Sequence, residues 1–315
     1  MKFEQTPKQT IIITGGAGYI GSKLTDLLLS RGYRVVIIDD LSQGYRENVS
    51  ADAVFVQMNI LSPEVSNIIQ NEKPISIFHL AASKSVTESV KNPKQFYTTN
   101  VIGSKNIIDA AYKNGVKRVI FTSTAGVYGD TMNGRLQQES DAPHPSSPYA
   151  ETKLETERYL LDMNAKGMDN VIVRFANVYG PGGNASIESV VHVFIRSLMA
   201  NQDVLVHGDG KQTRDYVFID DLVEACALCI HAPSKTPSPI YNVSTGKPAS
   251  VLDVLSIISR IYKKTPKLSY MRDAFIGQQS SLLDPSKTKN DLHWESRVSL
   301  EEGIERTTEH FLHIV

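Results

Sequence analysis

Thr14-Gly15-Gly16-Ala17-Gly18-Tyr19-Ile20-Gly21 follows the apolar run Ile11-Ile12-Ile13 and opens an amphipathic run from Ser22 to Leu29. That order predicts a strand, a glycine turn and a helix start. Such a turn lets the backbone approach a pyrophosphate closely and aims helix N-terminal amides at its charge. The glycines fall at 15, 18 and 21 rather than in the commoner G-x-G-x-x-G. Glycines also serve ordinary turns, so the triplet alone is weak evidence. The strand before it and the helix after it select the nucleotide-binding reading.

A second test lies downstream. Arg34-Val35-Val36-Ile37-Ile38 reads as a buried strand and ends in Asp39-Asp40. A carboxylate about twenty residues past the glycines can accept hydrogen bonds from the ribose hydroxyls of NAD. It would repel the extra phosphate of NADP. No arginine lies in the glycine turn, and the nearest beyond the carboxylates is Arg46. NAD is therefore the expected cofactor.

The chain has 315 residues, enough for one large or two modest domains. Its formal net charge of -1 implies no broad attraction to nucleic acid or anionic membrane. No apolar run of about eighteen residues is present, so no membrane span is expected. Met1 to Lys8 is polar and lacks a signal-peptide core, which makes the cytoplasm the default. Cys226 and Cys229 have C-x-x-C spacing. They lie in a run that reads as a helix on a core, so buried thiols are expected rather than redox chemistry. The histidines show no metal-ligand spacing, and no metal is expected.

Strand patterns at Ile11–Thr14, Arg34–Ile38, Val54–Gln57, Ile75–Leu80, Lys117–Thr122 and Val171–Arg174 alternate with helical ones at Ser22–Ser30, Val65–Asn71 and Phe96–Tyr112. Alternation implies right-handed crossovers and a doubly wound parallel α/β sheet of Rossmann type. The expected division is a dinucleotide-binding domain over 1–175 and a smaller, mainly substrate-binding region over 176–315. The segment 215–244 is expected to return to the sheet, which would make the smaller region discontinuous.

The catalytic candidate is Tyr149-Ala150-Glu151-Thr152-Lys153. Ser147 and Pro148 precede it as a cap and a first helical position. Residues four apart on a helix share a face, so Tyr149 and Lys153 can project into one site. A free phenol has a pKa near 10 and is a poor base. A nearby ammonium is expected to lower that value and make the pair a general acid–base. Val119-Ile120-Phe121-Thr122-Ser123-Thr124 reads as a strand with a hydroxyl-rich end, and ligands bind where parallel strands end. Thr124 could bond a substrate hydroxyl and relay its proton to Tyr149.

Together these motifs strongly resemble the extended short-chain dehydrogenase/reductase family, in its nucleotide-sugar epimerase/dehydratase branch, closest to the UDP-glucose 4-epimerase group. The resemblance runs through T-G-G-A-G-Y-I-G at 14–21, D-D-L-S at 39–42, H-L-A-A at 79–82, Asn100, S-T-A-G-V-Y-G at 123–129, Y-x-x-x-K at 149–153, R-F-A-N-V-Y-G-P at 174–181 and G-D-G-K-Q-T-R-D-Y-V-F-I-D-D at 208–221. It implies NAD held by Gly15, Gly18, Tyr19, Ile20, Gly21, Asp39, Asp40, Asn59, Ile60, Ala81, Lys84, Asn100, Tyr149 and Lys153. It implies a nucleotide-sugar substrate met by Lys84, Thr124, Tyr149, Asn177, Arg214, Arg272 and Ser281. Thr124, Tyr149 and Lys153 would be catalytic, and the protein would be a homodimer. Read from its neighbours alone, Arg214 would form a surface ion pair with Asp215.

The chain departs from the family pattern in places. Asn59 stands where an aspartate is common, and Thr124 where a serine is. The run from Arg272 to Asp284 is about two residues longer than usual. Ser281, aligned back from Asp284, would leave room for an N-acetyl group on the sugar. The expected reaction is C4 epimerisation of a UDP-hexose or UDP-N-acetylhexosamine through a 4-keto intermediate. A 4,6-dehydratase needs a further acid and base, which Ala125 and Gly126 cannot supply. A UDP-glucuronate decarboxylase lacks its usual glutamate, and Asp39 argues against an NADPH-using 4-keto reductase. A ligand sensor or RNA-binding member of the fold is the non-enzyme alternative. It would not need Thr124, Tyr149 and Lys153 together, and the chain has no basic footprint for RNA.

Overall fold

The computed structural model describes residues 8–132, 134–182, 189–234, 236, 238–271 and 277–314. Its centre is a seven-stranded sheet of β1 (Thr10–Thr14), β2 (Arg34–Asp39), β3 (Val54–Gln57), β4 (Ser76–His79), β5 (Arg118–Thr124), β6 (Asn170–Phe175) and the later strand β10 (Ile240–Val243). Their order across the sheet is β10-β6-β5-β4-β1-β2-β3, and every pair is parallel. The order reverses between β1 and β4, the position where open parallel sheets bind ligands beyond their strand ends.

Successive side chains of a strand face opposite ways. Ile11, Ile13, Val35 and Ile37 accordingly enter one buried cluster, while Ile12, Val36, Ile38 and Ile77 enter another. That explains the continuous apolar runs: both faces are covered. Helices α1 (Tyr19–Ser30) and α8 (Ile219–Leu228) pack together on one side. On the other lie α2 (Val65–Glu72), α5 (Ser104–Lys113) and α6 (Pro148–Ala165). Short α3 (Val86–Lys91) and α4 (Pro93–Tyr97) precede a π-helical stretch, Thr98–Gly103, that runs into α5.

The remaining strands are β7 (Asn177–Tyr179), β8 (Val204–His207), β9 (Thr213–Phe218), β11 (Pro248–Ser250), β12 (Leu268–Met271) and β13 (Ser280–Ser281). β9 is flanked by β11 and β13 and also pairs with β7, while β8 pairs with β12. β10 joins the large sheet through β6, whereas β9 stays with the small one. Helices α7 (Val190–Met199), α9 (Val251–Tyr262), α10 (Ser286–Leu292) and α11 (Leu300–Ile314) complete this lobe. Asp221 fixes the C-terminal segment to α8: its carboxylate accepts from Ser296 Oγ and from the amides of Arg297 and Val298.

Cys226 and Cys229 are fully buried free thiols, and burial pushes Cys226 up to about 12, far from a reactive thiolate. Among the described residues, no helix is long and apolar enough to cross a membrane.

Candidate active site

The strand ends of the large sheet open into a cleft of about 770 Å³. Gly15, Gly18, Tyr19, Ile20 and Gly21 line it beside Asp39, Asp40, Asn59, Ile60, Ala81 and Lys84. Thr124, Tyr149, Lys153, Asn177 and Arg214 line the same cleft. The glycine turn and the Tyr149 helix, far apart in sequence, thus share one cavity.

Each glycine of the turn has its own reason. Gly15 has φ +73°, and a Cβ there would sit 2.7 Å from the Ala81 amide nitrogen. A Cβ on Gly21 would lie 2.3 Å from the Gly15 carbonyl oxygen, so this residue lets α1 press against the turn. Gly18 differs: its Cβ would meet protein only at the Gly15 oxygen, 3.2 Å away. The space above it belongs to the cleft. Gly18 also caps α1 without a side-chain hydrogen bond. The first amides of a helix have no intrahelical partner. Here they meet a groove shaped for close backbone approach, and the donor set suits a pyrophosphate. Asp39 Oδ2 accepts from the Ala17 amide at 3.0 Å and Oδ1 from Leu41 at 2.8 Å. Those bonds aim the carboxylate while leaving lone pairs for ribose hydroxyls. Burial raises its pKa. Asp40 takes the Asn59 side-chain amide at 2.6 Å, so the asparagine is tied to the strand end.

At the other end, Ser147 caps α6 by accepting from the Ala150 amide, with Pro148 in the first turn. This sets Tyr149 at the start of the helix, partly exposed to the cleft. Lys153 lies deeper. Its Nζ donates to the Thr122 carbonyl at 2.9 Å and sits 4.6 Å from the centre of the Phe121 ring. Burial drives this ammonium down to about 7 against a smaller upward pull from Glu157. Burial pushes the Tyr149 phenol up to about 12. In the chain by itself desolvation governs the phenol, and the Lys153 ammonium is turned to the Thr122 carbonyl. Thr124 Oγ1 accepts from the Gly126 amide at 3.1 Å, which leaves its own hydrogen to donate elsewhere.

Two sequence candidates do not line the cleft. Asn100 is buried in the π-helical stretch, where its side chain takes the Ser83 amide at 2.7 Å and donates to the Ser83 carbonyl and Thr152 Oγ1 at 3.0 Å. It clamps the loop before Lys84 to α6. Ser281 is buried on β13 opposite Arg214, behind the cleft wall. Arg272 lies outside the described residues. Arg214 does not turn to Asp215, whose carboxylate takes the Thr245 and Gly246 amides. Instead its guanidinium donates to the Thr213 and Gln278 carbonyls at 2.8 and 2.5 Å. Gln278 itself lines the cleft and was not foreseen. The lengthened run after Arg272 hides its position from any spacing argument.

Beneath the cleft, His79 Nδ1 lies 2.7 Å from Thr14 Oγ1, and its Nε2 lies 2.7 Å from Ser104 Oγ. Ser104 spends its own proton on the Asn100 carbonyl at 2.5 Å. His79 must therefore donate from Nε2 and accept at Nδ1, a neutral ring. Burial holds it at about 3.

The sequence model of the NAD dependent epimerase/dehydratase family matches residues 11–244. A UDP-glucose 4-epimerase of Mycolicibacterium smegmatis is 36% identical over 308 residues, covering 95% of this chain and 97% of that one. The structure of a UDP-glucose 4-epimerase from Thermotoga maritima, solved with UDP-glucose, matches with TM-score 0.92 at 37% identity, covering 97% and 99% of the two chains. The Thermus thermophilus UDP-glucose 4-epimerase, solved with NAD, gives 0.91 at 32% identity, covering 98% and 100%.

The His79 arrangement carries a pH signature. Its folded pKa lies below the ordinary 6.5, so its stabilisation is present above that value and is lost as pH falls toward 3. In urea unfolding, the wild type is expected to lose on the order of 3 kcal/mol between about pH 7 and pH 4 from this residue. The stability gap to His79→Gln should shrink over that range. A gap that stays constant with pH would refute the assignment.

Proposed function

Since the chain belongs to the NAD dependent epimerase/dehydratase family, we propose that it is an NAD-dependent nucleotide-sugar 4-epimerase. Its substrates are UDP-hexoses or UDP-N-acetylhexosamines, inverted through a transient 4-keto intermediate. The chemical make-up of the reacting end of the cleft carries this reading. Thr124, Tyr149 and Lys153 line it, while the only carboxylates among the described lining residues are Asp39 and Asp40. Those stand at the end of β2, three strands from β5, about 14 Å across the sheet. A dehydratase or decarboxylase needs an acid or base beside the sugar, and Ala125 and Gly126 offer none. Proton transfer at a single hydroxyl is what this end can support.

The space above Gly18 fits the pyrophosphate of NAD, with the amides opening α1 as donors, Asp39 on the adenosine ribose and Ala81 and Lys84 along the far half. When bound, NAD supplies the hydride acceptor and donor and a cationic ring at the reacting end. Tyr149 takes the proton of the sugar 4-hydroxyl and later returns it. Thr124, with its hydrogen free, bonds the same oxygen and keeps it aimed at the phenol. Lys153 adds positive charge behind Tyr149. Asn177 and Arg214 hold the diphosphate, where a guanidinium fork matches phosphate oxygens. Anchoring at the diphosphate leaves the keto sugar free to turn and expose its other face. The large sheet, with β10 returned to it, serves the cofactor, and most of 176–315 serves the substrate.

The protein acts as a homodimer through the helical faces around 95–114 and 149–163. Tyr97, Ile102 and Tyr112 expose 43%, 48% and 48% of their surface there, an apolar band that a second copy would cover.

Incubation with a panel of UDP-, dTDP-, GDP- and CDP-sugars, read by NMR, should show C4 inversion of UDP-sugars. Tyr149→Phe should lower kcat by roughly 10²- to 10⁴-fold. Undiminished turnover would refute the phenol's role, and a keto-deoxy product would favour the dehydratase. The glycines separate fold from ligand. Gly18 has φ -79° and a single close Cβ contact, 3.2 Å to the Gly15 carbonyl oxygen, so Gly18→Ala should lose less stability than Gly21→Ala yet bind NAD about tenfold or more weakly by calorimetry. Gly21→Ala should instead lose about 1–3 kcal/mol of stability in urea. Light scattering should give twice the chain mass, reduced to one by Ile102→Glu with Tyr112→Glu. A monomeric wild type would end the dimer proposal.

A further inference from the structure

Thr122, Ser123 and Thr124 are consecutive on β5, and each does something different for the helix above it. The Thr122 carbonyl accepts from Lys153 Nζ. Ser123 Oγ donates to Glu157 Oε1. Thr124 presents its hydroxyl to the cleft. Lys153 and Glu157 are one turn apart on α6 and therefore share a face. Both are buried, with 3% and 1% of their surface exposed. Glu157 does not reach the cleft. It is held from the opposite side by Arg174 of β6, whose Nε lies 3.0 Å from Oε1 and whose Nη2 lies 2.5 Å from Oε2. The Arg174 guanidinium in turn lies 4.6 Å from the centre of the Tyr128 ring, and Tyr128 donates to Asn242 Oδ1 at 2.8 Å.

Resting on the catalytic pair assigned above, we propose that Glu157 is a positioning residue that keeps the Lys153 ammonium charged beside the cleft, and that Arg174 sets how much of the Glu157 charge Lys153 feels. The groups facing Lys153 support this. From β5 come a neutral carbonyl and the Phe121 ring. From β4 comes His79, which is neutral. On its own helix Tyr149 carries a neutral phenol. From β6, Arg174 meets Glu157 and not Lys153 itself. Glu157 is thus the negative charge in this set, and it is the one group that draws Lys153 upward against desolvation. An ammonium sitting near neutrality changes its charge with a small change in surroundings. The electrostatic character of the reacting end then depends on a carboxylate that touches neither ligand.

The test reads Lys153 itself. Protein labelled with ¹³C at lysine Cε is titrated without cofactor, and the Lys153 resonance is identified by its loss in Lys153→Met. Glu157→Gln keeps the shape and removes the charge; its Lys153 midpoint should fall by roughly one pH unit or more. Arg174→Gln frees the Glu157 charge, so its midpoint should rise. Each single change breaks a buried pair, so the double variant Glu157→Gln/Arg174→Gln, which removes both charges together, secures the comparison if a single variant does not fold. Its midpoint should fall below that of the wild type, because the carboxylate on the same helix face outweighs the guanidinium behind it. Midpoints that coincide with the wild type, or that run in the reverse order, overturn the proposal. A merely structural role for Glu157 would not move the two singles in opposite directions. Because the titration needs neither NAD nor turnover, it stands or falls apart from the epimerase assignment.

Discussion

The buried pair between Arg174 and Glu157 ties α6 to the centre of the large sheet. Both side chains are almost fully removed from water. Desolvating two charges costs several kcal/mol each, and only close geometry with further hydrogen bonds offsets it. Here the fork is nearly bidentate, and Ser123 supplies another donor. Leaving either charge without the other would cost about 3–5 kcal/mol. The pair therefore acts as a register mark. α6 cannot slide along β5 without unpairing it, and Tyr149 and Lys153 ride on α6. Asn100 adds a second mark from the other side, because it joins Thr152 of α6 to the loop at Ser83.

Much of this was legible in the chain. The glycine turn, the acidic strand end and the alternation of apolar runs with helical ones fix a doubly wound sheet, since each is a local pattern with a local cause. Tyr149 and Lys153 could be paired because helix geometry is regular. What could not be read depends on contacts between distant segments. The turning of Lys153 to the Thr122 carbonyl needs β5 beneath α6, and no spacing in the sequence encodes it. The inward role of Asn100 depends on a π-helical stretch, where side-chain directions depart from the ordinary helical period. Ser281 was placed by counting back from Asp284. That places it in the chain but does not say which side of β13 faces the cleft.

The two ends of the cleft use backbone and side chain differently. At the glycine turn the donors are main-chain amides, held by a helix start and a positive φ, so the chemistry there is insensitive to side-chain motion. At the β5 end the donors and acceptors are side chains whose charges are suppressed by burial. Lys153 falls and Tyr149 rises, both toward their neutral forms. That end of the cleft therefore carries no more than the partial charge of Lys153. A cationic group arriving there meets little competing field, and its influence on the phenol is correspondingly large.

This neutrality also bears on which reactions the fold can host. A Cβ on Gly126 would lie 3.4 Å from Thr124 Oγ1 and 3.5 Å from the Ala150 Cβ, which are ordinary contacts. Its backbone is not left-handed, so a side chain is not forbidden there. Space therefore does not exclude an additional acid beside Thr124; the sequence simply provides none. A carboxylate at that point would bring a buried negative charge next to Tyr149. It would raise the phenol further while drawing Lys153 toward its charged form. Acquiring elimination chemistry would thus disturb the proton balance of the existing pair. Gly126 keeps such a charge out of the cleft, and no steric barrier is needed for that.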